Sequence, residues 1–280
     1  MCGIIGSINY DKESYKENEE WIKSKISLLS HRGPDNEKIW ISNSKNVIFG
    51  HTKLSIIDLS DKNFQPMNDS INNITITYNG EIYNFLELKK KLKSKGYDFL
   101  TNSDTEVIIK LFHEYKEESF KLLSGIFALS IYDLTSNKIY LIRDQIGVKP
   151  LYYYFNVKNN KFAYSSLIKP LLLVSNEKKL NTEAIKYYSN FNRNDLNETF
   201  YKNIFKVLPG ELIIFENNKL NKKKFLSFNF DKKFRKKEFK NDIKGYLSKQ
   251  FISDVPVALS LSGGIDSNLI FNELLEKKKN

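Results

Sequence analysis

Residues 125–144, GIFALSIYDLTSNKIYLIRD, contain two apolar, β-branched runs on either side of Asn137. Two such runs joined by a short polar stretch are typical of an antiparallel hairpin, with Asn137 near the turn. Residues 151–166, LYYYFNVKNNKFAYSS, repeat this pattern and predict a second hairpin. The centre of the chain therefore indicates antiparallel sheet and not parallel strands alternating with helices.

Segments nearer the N-terminus extend this prediction. Four strands are predicted at residues 3–9 (GIIGSIN), 37–42 (EKIWIS), 46–51 (NVIFGH) and 74–79 (ITITYN). Helical spacing of apolar residues predicts helices over 21–29, over 85–92 before Gly96, and from Ser103 and Asp104 to Tyr115. Because these helices come in groups and do not follow every strand, we expect an α+β domain, antiparallel sheets covered by helices, over residues 2–215.

The pattern changes after residue 215. Residues 216–240 are predicted to be a basic linker, since 219–240 are crowded with lysine. Residues 241–280 predict the start of a second, α/β domain: a helix reaching Phe251, then one buried strand, a glycine turn and one helix in VPVALSLSGGIDSNLIFNELLEKKKN. Only thirteen residues follow Ser267, so we expect this domain to be incomplete, because one strand and one helix cannot bury both faces.

Composition narrows the class of protein. The 280 residues include one cysteine and three histidines, which excludes a disulfide framework and any structural zinc spacing, and we predict no metal ligands. No apolar stretch is long enough for a signal peptide or a membrane span, which favours the cytoplasm and no membrane partner. The net charge of +11 comes largely from lysine spread through the whole sequence, so we do not expect nucleic acid as the partner.

The single cysteine, Cys2, follows the initiator methionine directly. Met1 is readily removed before a small residue, and the chain would then start with a cysteine that carries both a thiol and a free α-amino group. Such an amine titrates near 7.7 to 8.0 and can activate its own side chain as a base. The sequence therefore predicts an N-terminal nucleophile.

Six motifs occur in an order that resembles a known family: MCGIIG, HRGPD (31–35), GHTKLSIIDLS (50–60), NGEIYN (79–84), SDTEV (103–107) and RDQIGVKPLYY (143–153). Together they are similar to the glutaminase domain of glutamine-hydrolysing asparagine synthetases, a class II glutamine amidotransferase. The similarity continues through SDVPVALSLSGGIDS at 253–267. It implies an N-terminal-nucleophile sandwich of antiparallel sheets flanked by helices.

The resemblance also implies roles for individual residues. Cys2 would attack the side-chain amide of glutamine, and Asn79 and the backbone N–H of Gly80 would hold the oxyanion. The implied glutamine-binding residues are Lys53, Leu54, Ser55, Ile56, Ile57, Asn79, Gly80, Glu81 and Asp104. Glu81 and Asp104 would face the substrate ammonium group, and Lys53 stands where the family has an arginine for the carboxylate.

Other residues in these motifs are expected to be structural. We predict an ion pair between Arg143 and Asp144 and a strand reversal at Gly147. His31 and His51 are expected to be structural histidines, since the α-amino group supplies the base. Ser166 replaces the glutamate usual in the family, and the change does not touch the glutaminase chemistry.

The glycine turn near the C-terminus resembles the pyrophosphate-binding loop of ATP pyrophosphatases. The implied ATP-binding residues are Leu261, Ser262, Gly263, Gly264, Ile265, Asp266 and Ser267. The resemblance implies ATP with Mg²⁺ and aspartate as partners of the full synthetase reaction, and none of these for glutamine hydrolysis. A homodimer or a complementary synthetase chain is a further expected partner.

Three alternatives stay open from the sequence. The acceptor could differ, as in an amidotransferase acting on a cell-surface precursor. The chain could also be a non-catalytic module whose end is recruited by a complementary synthetase chain, or a basic nucleic-acid binder that uses residues 219–240.

Overall fold

A computed structural model describes residues 1–9, 15–156, 161–174, 178–194, 197–226 and 235–278. The strands are β1 (Gly3–Asn9), β2 (Asn36–Ile41), β3 (Val47–Lys53), β4 (Met67–Asp69), β5 (Ile74–Ile82), β6 (Gly125–Asp133), β7 (Lys138–Arg143), β8 (Tyr152–Asn156), β9 (Lys161–Ser165), β10 (Ile204–Lys206), β11 (Glu211–Glu216) and β12 (Lys219–Lys224). The helices are α1 (Tyr15–Lys25), α2 (Phe85–Lys93), α3 (Asp104–Tyr115), α4 (Ile168–Leu171), α5 (Thr182–Phe191), α6 (Lys236–Gln250) and α7 (Ile265–Lys278). Short 3₁₀ turns lie at Ile26–Leu29, Asp61–Asn63 and Lys116–Leu122.

The described strands form two six-stranded sheets in which every pairing of strands is antiparallel. The first sheet has the order β10-β8-β9-β1-β3-β2, and the second has the order β12-β11-β7-β6-β5-β4. The α+β sandwich predicted from the sequence is confirmed.

Three hydrophobic clusters divide the molecule into four layers. One cluster lies between the sheets, where Ile4 of β1 and Ala128 of β6 are fully buried. A second joins the outer face of the second sheet to α2 and α3, and a third joins the outer face of the first sheet to α1 and the turn after it. Each sheet is therefore covered on both faces.

Coverage of both faces explains the continuous apolar runs in the sequence. In β6, Leu129 belongs to the cluster under the helices, whereas its neighbour Ala128 belongs to the cluster between the sheets. All seven residues of β3 are buried. A strand with a solvated face would instead alternate apolar and polar side chains.

Most predicted elements are present close to their predicted bounds. The hairpin at 125–144 forms as β6 and β7, with Asn137 in the left-handed conformation at φ 54°. The second predicted hairpin forms as β8 and β9, and its turn at 157–160 lies outside the described residues. Helix α3 begins where it was expected, and the Ser103 hydroxyl caps it by accepting the Thr105 N–H at 3.0 Å.

The predicted boundary at residue 215 is wrong. Lys219–Lys224 is not linker but the edge strand β12, paired with β11 along its length. The turn between these strands has Asn217 at φ 48° and Asn218 at φ 57°, the geometry of a tight hairpin turn. Lysines suit an edge strand because their charge opposes pairing with another chain.

The predicted buried strand before the glycine turn is also not formed. Residues 255–261 carry no strand pairing, and the Val257 side chain is 53% exposed. A strand needs a neighbour for its backbone groups, and the described residues place none beside this segment. The glycine turn and the helix after it, α7, are present as predicted.

None of the helices in the described segments is both long and apolar enough to cross a membrane. Within the same segments, no cluster of three or more His, Cys, Asp or Glu side chains is placed to hold a metal ion.

His51 generates a prediction about acid stability. Burial lowers its pKa to about 3 from an ordinary value of 6.5, so between these values the unfolded chain binds a proton that the folded protein does not. The free energy of unfolding should therefore fall as the pH falls through this range, by up to about 1.4 kcal/mol per pH unit from this group. In urea titrations from pH 7 to pH 4, His51→Gln should lose less stability than the parent.

His31 offers a matched control because it is exposed. His31→Gln should show the parent's dependence of stability on pH. A His51→Gln profile parallel to that of the parent would contradict this account of the buried imidazole.

Candidate active site

A pocket with about 570 Å³ of empty space, part of it open to solvent, lies where β1 begins beside the end of β5. Its lining residues are Met1, Cys2, Lys53, Leu54, Ile56, Ile57, Asn63, Gln65, Tyr78, Asn79, Gly80, Glu81, Asp104, Thr105 and Lys149.

Cys2 is placed in this pocket by β1, an inner strand of the first sheet paired with β3 and β9. Its Sγ accepts the Leu54 N–H at 3.4 Å and lies 3.7 Å from the Leu54 carbonyl oxygen. Gly3 packs so tightly that an added Cβ would lie 2.6 Å from Thr52 Oγ1. Burial raises the pKa of the Cys2 thiol, although the Leu54 N–H, the N-terminal amine and Lys149 oppose the shift. The thiol is therefore protonated at neutral pH and needs a base to act as a nucleophile.

The end of β5 has one free edge. Strand β4 pairs only with residues 74–76, whereas β6 pairs with residues 74–82. The Tyr78 N–H instead donates to Gln65 Oε1 at 2.6 Å, and the Ile82 N–H donates to Asp104 Oδ2 at 3.1 Å. Because backbone groups alternate in direction along a strand, the Gly80 N–H points the same way, toward the pocket that Gly80 lines.

Asn79 lies on β5 between Tyr78 and Gly80. Its side chain is on the opposite face of the strand from that of Tyr78. Thr77 shares that face, and its hydroxyl bonds to the Tyr164 hydroxyl of the other sheet at 2.9 Å. Asn79 is 1% exposed, and neither Nδ2 nor Oδ1 has a hydrogen-bond partner among the described residues. A buried carboxamide without partners is costly in a folded protein, and this one lines the pocket, where it is available to a ligand.

The glycine at position 80 has a packing reason that the sequence did not reveal. A Cβ there would collide with the Ile126 carbonyl oxygen and would lie 2.6 Å from the Phe127 Cα. Crowding by β6 therefore demands glycine, in addition to any need for access by the pocket.

Two carboxylates line the pocket. Asp104 accepts the Tyr78 hydroxyl at 2.8 Å and the Ile82 N–H, and it is not the helix cap, which is Ser103. Burial raises the pKa of Asp104 to about 6 against these hydrogen bonds. Burial also raises the pKa of Glu81, while the charge of Lys149 opposes that shift. Both acids therefore lack a full set of counter-charges in the free protein.

The two pocket lysines have different surroundings. Lys53 is 5% exposed, and its Nζ lies 3.5 Å from the Asp58 carbonyl oxygen and 5.1 Å from the centre of the Phe64 ring. Lys149 is 7% exposed and lies within electrostatic reach of Cys2 and Glu81. The pocket thus contains two cations and two acids.

The loop after β3 supplies one wall, and it is held from both sides. Leu54, Ile56 and Ile57 line the pocket as expected, but Ser55 does not. The Ser55 N–H donates to the Asp35 carboxylate of the HRGPD motif at 2.7 Å. On the other side, the Asp254 N–H donates to the Ile56 carbonyl at 2.9 Å.

The predicted ion pair between Arg143 and Asp144 is not present. The Arg143 guanidinium donates instead to the carbonyl oxygens of Gly147, Lys149 and Val207, at 2.6 to 2.8 Å. The Asp144 carboxylate accepts N–H groups of the same loop, including that of Lys149 at 3.0 Å. Opposite charges here bind opposite ends of backbone dipoles, which holds the reversal at Gly147 (φ 72°) and fixes the backbone of Lys149.

Two other residues outside the pocket lining have structural contacts. His51 Nε2 bonds to the Tyr78 carbonyl at 3.2 Å between the sheets, as a structural histidine would. Ser166 Oγ accepts the Ile4 N–H at 3.1 Å, which ties β1 to the end of β9.

The predicted ATP loop lies on the surface before α7. Gly263 is in the left-handed conformation at φ 81° with open space around it, and the hydroxyls of Ser262 and Ser267 lie 3.1 Å apart. Leu261, Ser262, Gly263, Gly264, Ile265 and Asp266 are exposed, and Ser267 is half-buried. None of the seven lines the pocket around Cys2.

The sequence prediction missed several lining residues. Lys149 lies in the quoted RDQIGVKPLYY motif, and its place after Gly147 was the available signal. Thr105 likewise lies in the quoted SDTEV motif. Gln65 and Tyr78 lie outside the quoted motifs, and Gln65 reaches the pocket wall through a contact between distant segments, Gln65 Nε2 to Thr105 Oγ1 at 3.3 Å.

Comparison with known proteins identifies the family. A family profile described as "Glutamine amidotransferase domain" matches residues 1–226, which include both sheets and the pocket. The chain belongs to this glutamine amidotransferase family. The match also passes residue 215, in agreement with the place of β12 in the second sheet.

Several relatives of this amidotransferase are much longer than it is. The putative asparagine synthetase (glutamine-hydrolyzing) 2 of Methanocaldococcus jannaschii is 35% identical, over 99% of this chain and 57% of that protein. Asparagine synthetase (glutamine-hydrolyzing) 1 of Bacillus subtilis is also 35% identical, over 96% of this chain and 43% of that protein. Amidase chry2 of Gibberella zeae is 32% identical, over 96% of this chain and 42% of that protein. The chain thus spans about half the length of these relatives.

A solved structure supports the fold. The glutamine phosphoribosylpyrophosphate amidotransferase of Bacillus subtilis superposes with a TM-score of 0.58 at 19% identity, over 81% of this chain and 50% of that chain. At this identity the likeness concerns the arrangement of sheets and helices.

Proposed function

We propose that this amidotransferase hydrolyses glutamine to glutamate and ammonia, with Cys2 as the nucleophile. The observation that carries the proposal is the buried carboxamide of Asn79, which has no partner among the described residues and lines one pocket with the Cys2 thiol. The Gly80 N–H at the free edge of β5 would be a second donor. Two fixed donors beside a thiol form the arrangement that stabilises a tetrahedral oxyanion in acyl transfer.

The proposed base requires that Met1 be removed. With Met1 in place the nitrogen of Cys2 is an amide and cannot accept a proton, whereas a trimmed chain has an α-amine on the same residue as the sulfur. Burial lowers the pKa of the present Met1 amine, with the charges of Lys149 and Arg32 acting in the same direction. The same surroundings would keep part of the Cys2 amine unprotonated near neutral pH.

The reaction then proceeds in two balanced stages. The thiol gives its proton to the α-amine as sulfur bonds to the amide carbon, and the carbonyl electron pair moves to the oxygen held by Asn79 and Gly80. The oxyanion collapses, the carbon–nitrogen bond breaks, and the amine returns the proton so that ammonia leaves. Water next attacks the thioester by the same route and releases glutamate and the free thiol.

The remaining charges of the pocket match the two ends of free glutamine. Lys53 would bind the α-carboxylate, and Glu81 and Asp104 would bind the ammonium group. A substrate that is a zwitterion at one end and a neutral amide at the other suits a pocket with cations, acids and a neutral carboxamide.

For the ammonia we propose an aspartate acceptor activated by ATP, supported by the two asparagine synthetases among the relatives. ATP with Mg²⁺ would be held by the loop 261–267, where the open space at Gly263 leaves room for phosphate. When bound, ATP would activate the acceptor carboxylate for attack by ammonia. The amidase relative favours a second candidate, in which another carboxylate acceptor replaces aspartate.

The products separate these proposals. Purified protein should release ammonia and glutamate from glutamine without ATP. Asparagine formed on adding ATP and aspartate would support the complete reaction, and glutamate alone would limit the chain to the glutaminase half. No ammonia from protein shown by intact mass to start at Cys2 would contradict the proposed function.

Asn79→Ala tests the oxyanion donor. We expect kcat for ammonia release to fall by about 10² to 10³, as for other oxyanion-hole donors, with a small change in KM. Asn68→Ala is the matched control, since Asn68 is an exposed residue of the same sheet, on β4. Equal losses in the two variants would remove Asn79 from the chemistry.

Lys53→Arg tests the carboxylate partner. A guanidinium can hold both carboxylate oxygens, which an ammonium group does less well, so KM for glutamine should fall with little change in kcat. Steady-state kinetics of ammonia release would measure both constants. An unchanged or higher KM would remove Lys53 from the substrate site.

Asp104 should make glutamine binding depend on pH. Its pKa of about 6 means that the carboxylate loses its charge as the pH falls through this value, and the substrate ammonium group loses a partner. KM should rise about tenfold between pH 7 and pH 5, because only the ionised fraction binds. Asp104→Asn should have a high KM at every pH, without this step.

Glu81→Gln is the control for that profile, because burial also raises the pKa of Glu81. This variant should keep the step near pH 6 from Asp104. If the step vanishes in Glu81→Gln and persists in Asp104→Asn, the titrating group is Glu81 and the assignment to Asp104 is wrong.

A further inference from the structure

Lys149 is a buried cation that the mechanism above uses only through its effect on the pKa of the N-terminal amine. It is 7% exposed and lines the pocket, yet its Nζ has no hydrogen bond or ion pair to any described residue. Burial lowers the pKa of its ammonium group, and Glu81 is the strongest charge acting against that shift. An unpaired ammonium group on a buried residue is expensive, so its presence calls for an anion that arrives or forms there.

The backbone of Lys149 is held rigidly. Its carbonyl accepts the Arg143 Nε–H at 2.7 Å, and its N–H donates to the Asp144 carboxylate at 3.0 Å. The Asp144 carboxylate also accepts the Val148 N–H at 2.9 Å. Charged groups that clamp the backbone on both sides of one residue limit where its side chain can reach, as preorganised electrostatic sites require.

The charges of the pocket show which anion fits. With glutamine bound as proposed, its carboxylate faces Lys53, and its single ammonium group faces the two acids Glu81 and Asp104. One negative charge is then left over beside the sulfur, and it would oppose any further negative charge there. Asp104 indeed raises the pKa of the Cys2 thiol, whereas Lys149 lowers it. Lys149 is the cation that offsets this excess.

We propose that Lys149 stabilises the negative charge that develops on the Cys2 sulfur and on the oxyanion during attack on the glutamine amide. The inference rests on the proposed function and adds to it a residue that acts on the transition state and not on substrate binding. Lys149 takes no proton: the thiol proton passes to the α-amine, the sulfur–carbon bond forms, and the ammonium group of Lys149 faces the new charge throughout. The titratable groups around the thiol are the N-terminal amine, Arg32, Tyr78, Glu81, Asp104 and Lys149.

The single cysteine allows a direct test, since every thiol that reacts with iodoacetamide is Cys2. The rate of alkylation against pH gives the midpoint of thiolate formation without any turnover of glutamine. Lys149→Met should move this midpoint upward by about one pH unit, because an opposite charge is lost near the thiol. It should also lower kcat for ammonia release about tenfold while KM changes less than about twofold.

Lys53→Met is the matched control, because it removes the other buried pocket lysine. It should raise KM and leave the alkylation midpoint near that of the parent. Lys149→Arg, which keeps the charge, should keep a midpoint close to that of the parent. Lys149→Gln serves in place of Lys149→Met if the latter does not fold, as judged by its urea unfolding midpoint.

Two results would overturn the inference. One is a parent-like alkylation midpoint in both neutral Lys149 variants, and the other is a rise in KM with unchanged kcat, as expected of Lys53→Met. Failure of the proposed function is distinguishable: if the parent releases no ammonia but Lys149→Met still shifts the midpoint, glutamine hydrolysis is wrong and Lys149 still acts on the sulfur anion.

Discussion

The site depends on one constraint, which is that strand β5 extends beyond its neighbour β4. Over its last residues β5 keeps β6 on one side and loses its strand partner on the other. Backbone groups on that edge must find other partners, since buried N–H groups are rarely left unpaired. Gln65 and Asp104 supply them for Tyr78 and Ile82, and the Gly80 N–H between these two faces the pocket. The unpaired edge of β5 thus forms part of the pocket lining and does not pair with another strand.

Burial on both faces decided how much of the fold could be predicted. Strands such as β3 and β6 are continuously apolar because one face meets helices and the other meets the second sheet, so their position was evident from composition. The edge strand β12 has no such run: four of its six residues are lysines. The available signal for β12 was the Asn217–Asn218 pair, which predicts a hairpin turn from residue type and not from hydrophobicity. The strand prediction for residues 255–261 was wrong in the opposite sense: the segment is apolar, but an apolar run does not form a strand without a partner strand.

The site residues, too, could be predicted where a local motif identifies them and not where contacts between distant segments decide their place. The motifs predicted that Cys2, Asn79, Asp104 and most of the glutamine-binding residues lie in one pocket, although Cys2 precedes β1, Asn79 is on β5 and Asp104 is on α3. Ser55 was misplaced because its backbone is held by Asp35, a contact across twenty residues of sequence. The prediction for Arg143 and Asp144 was correct in giving them a structural role at the strand reversal, but wrong in pairing them with each other. Opposite charges that are adjacent in sequence suggest an ion pair, but in the fold Arg143 and Asp144 each lie at hydrogen-bond distance from backbone groups.

The free pocket is costly to the folded protein, and the costs share one cause. That cause is burial: the Asn79 carboxamide is buried without a partner in the described chain, and burial raises the pKa of each acid and lowers the pKa of Lys149. A zwitterionic ligand would supply an ammonium group for the acids and a carboxylate for Lys53. The amide carbon would then lie near the Asn79 donor, which still has no acceptor, and near Lys149, which still has no anion. Both would gain a partner only when negative charge forms in the reaction. If the proposed hydrolysis takes place here, such an environment would bind the transition state more tightly than the substrate, and stability given up in the free protein would become a lower barrier.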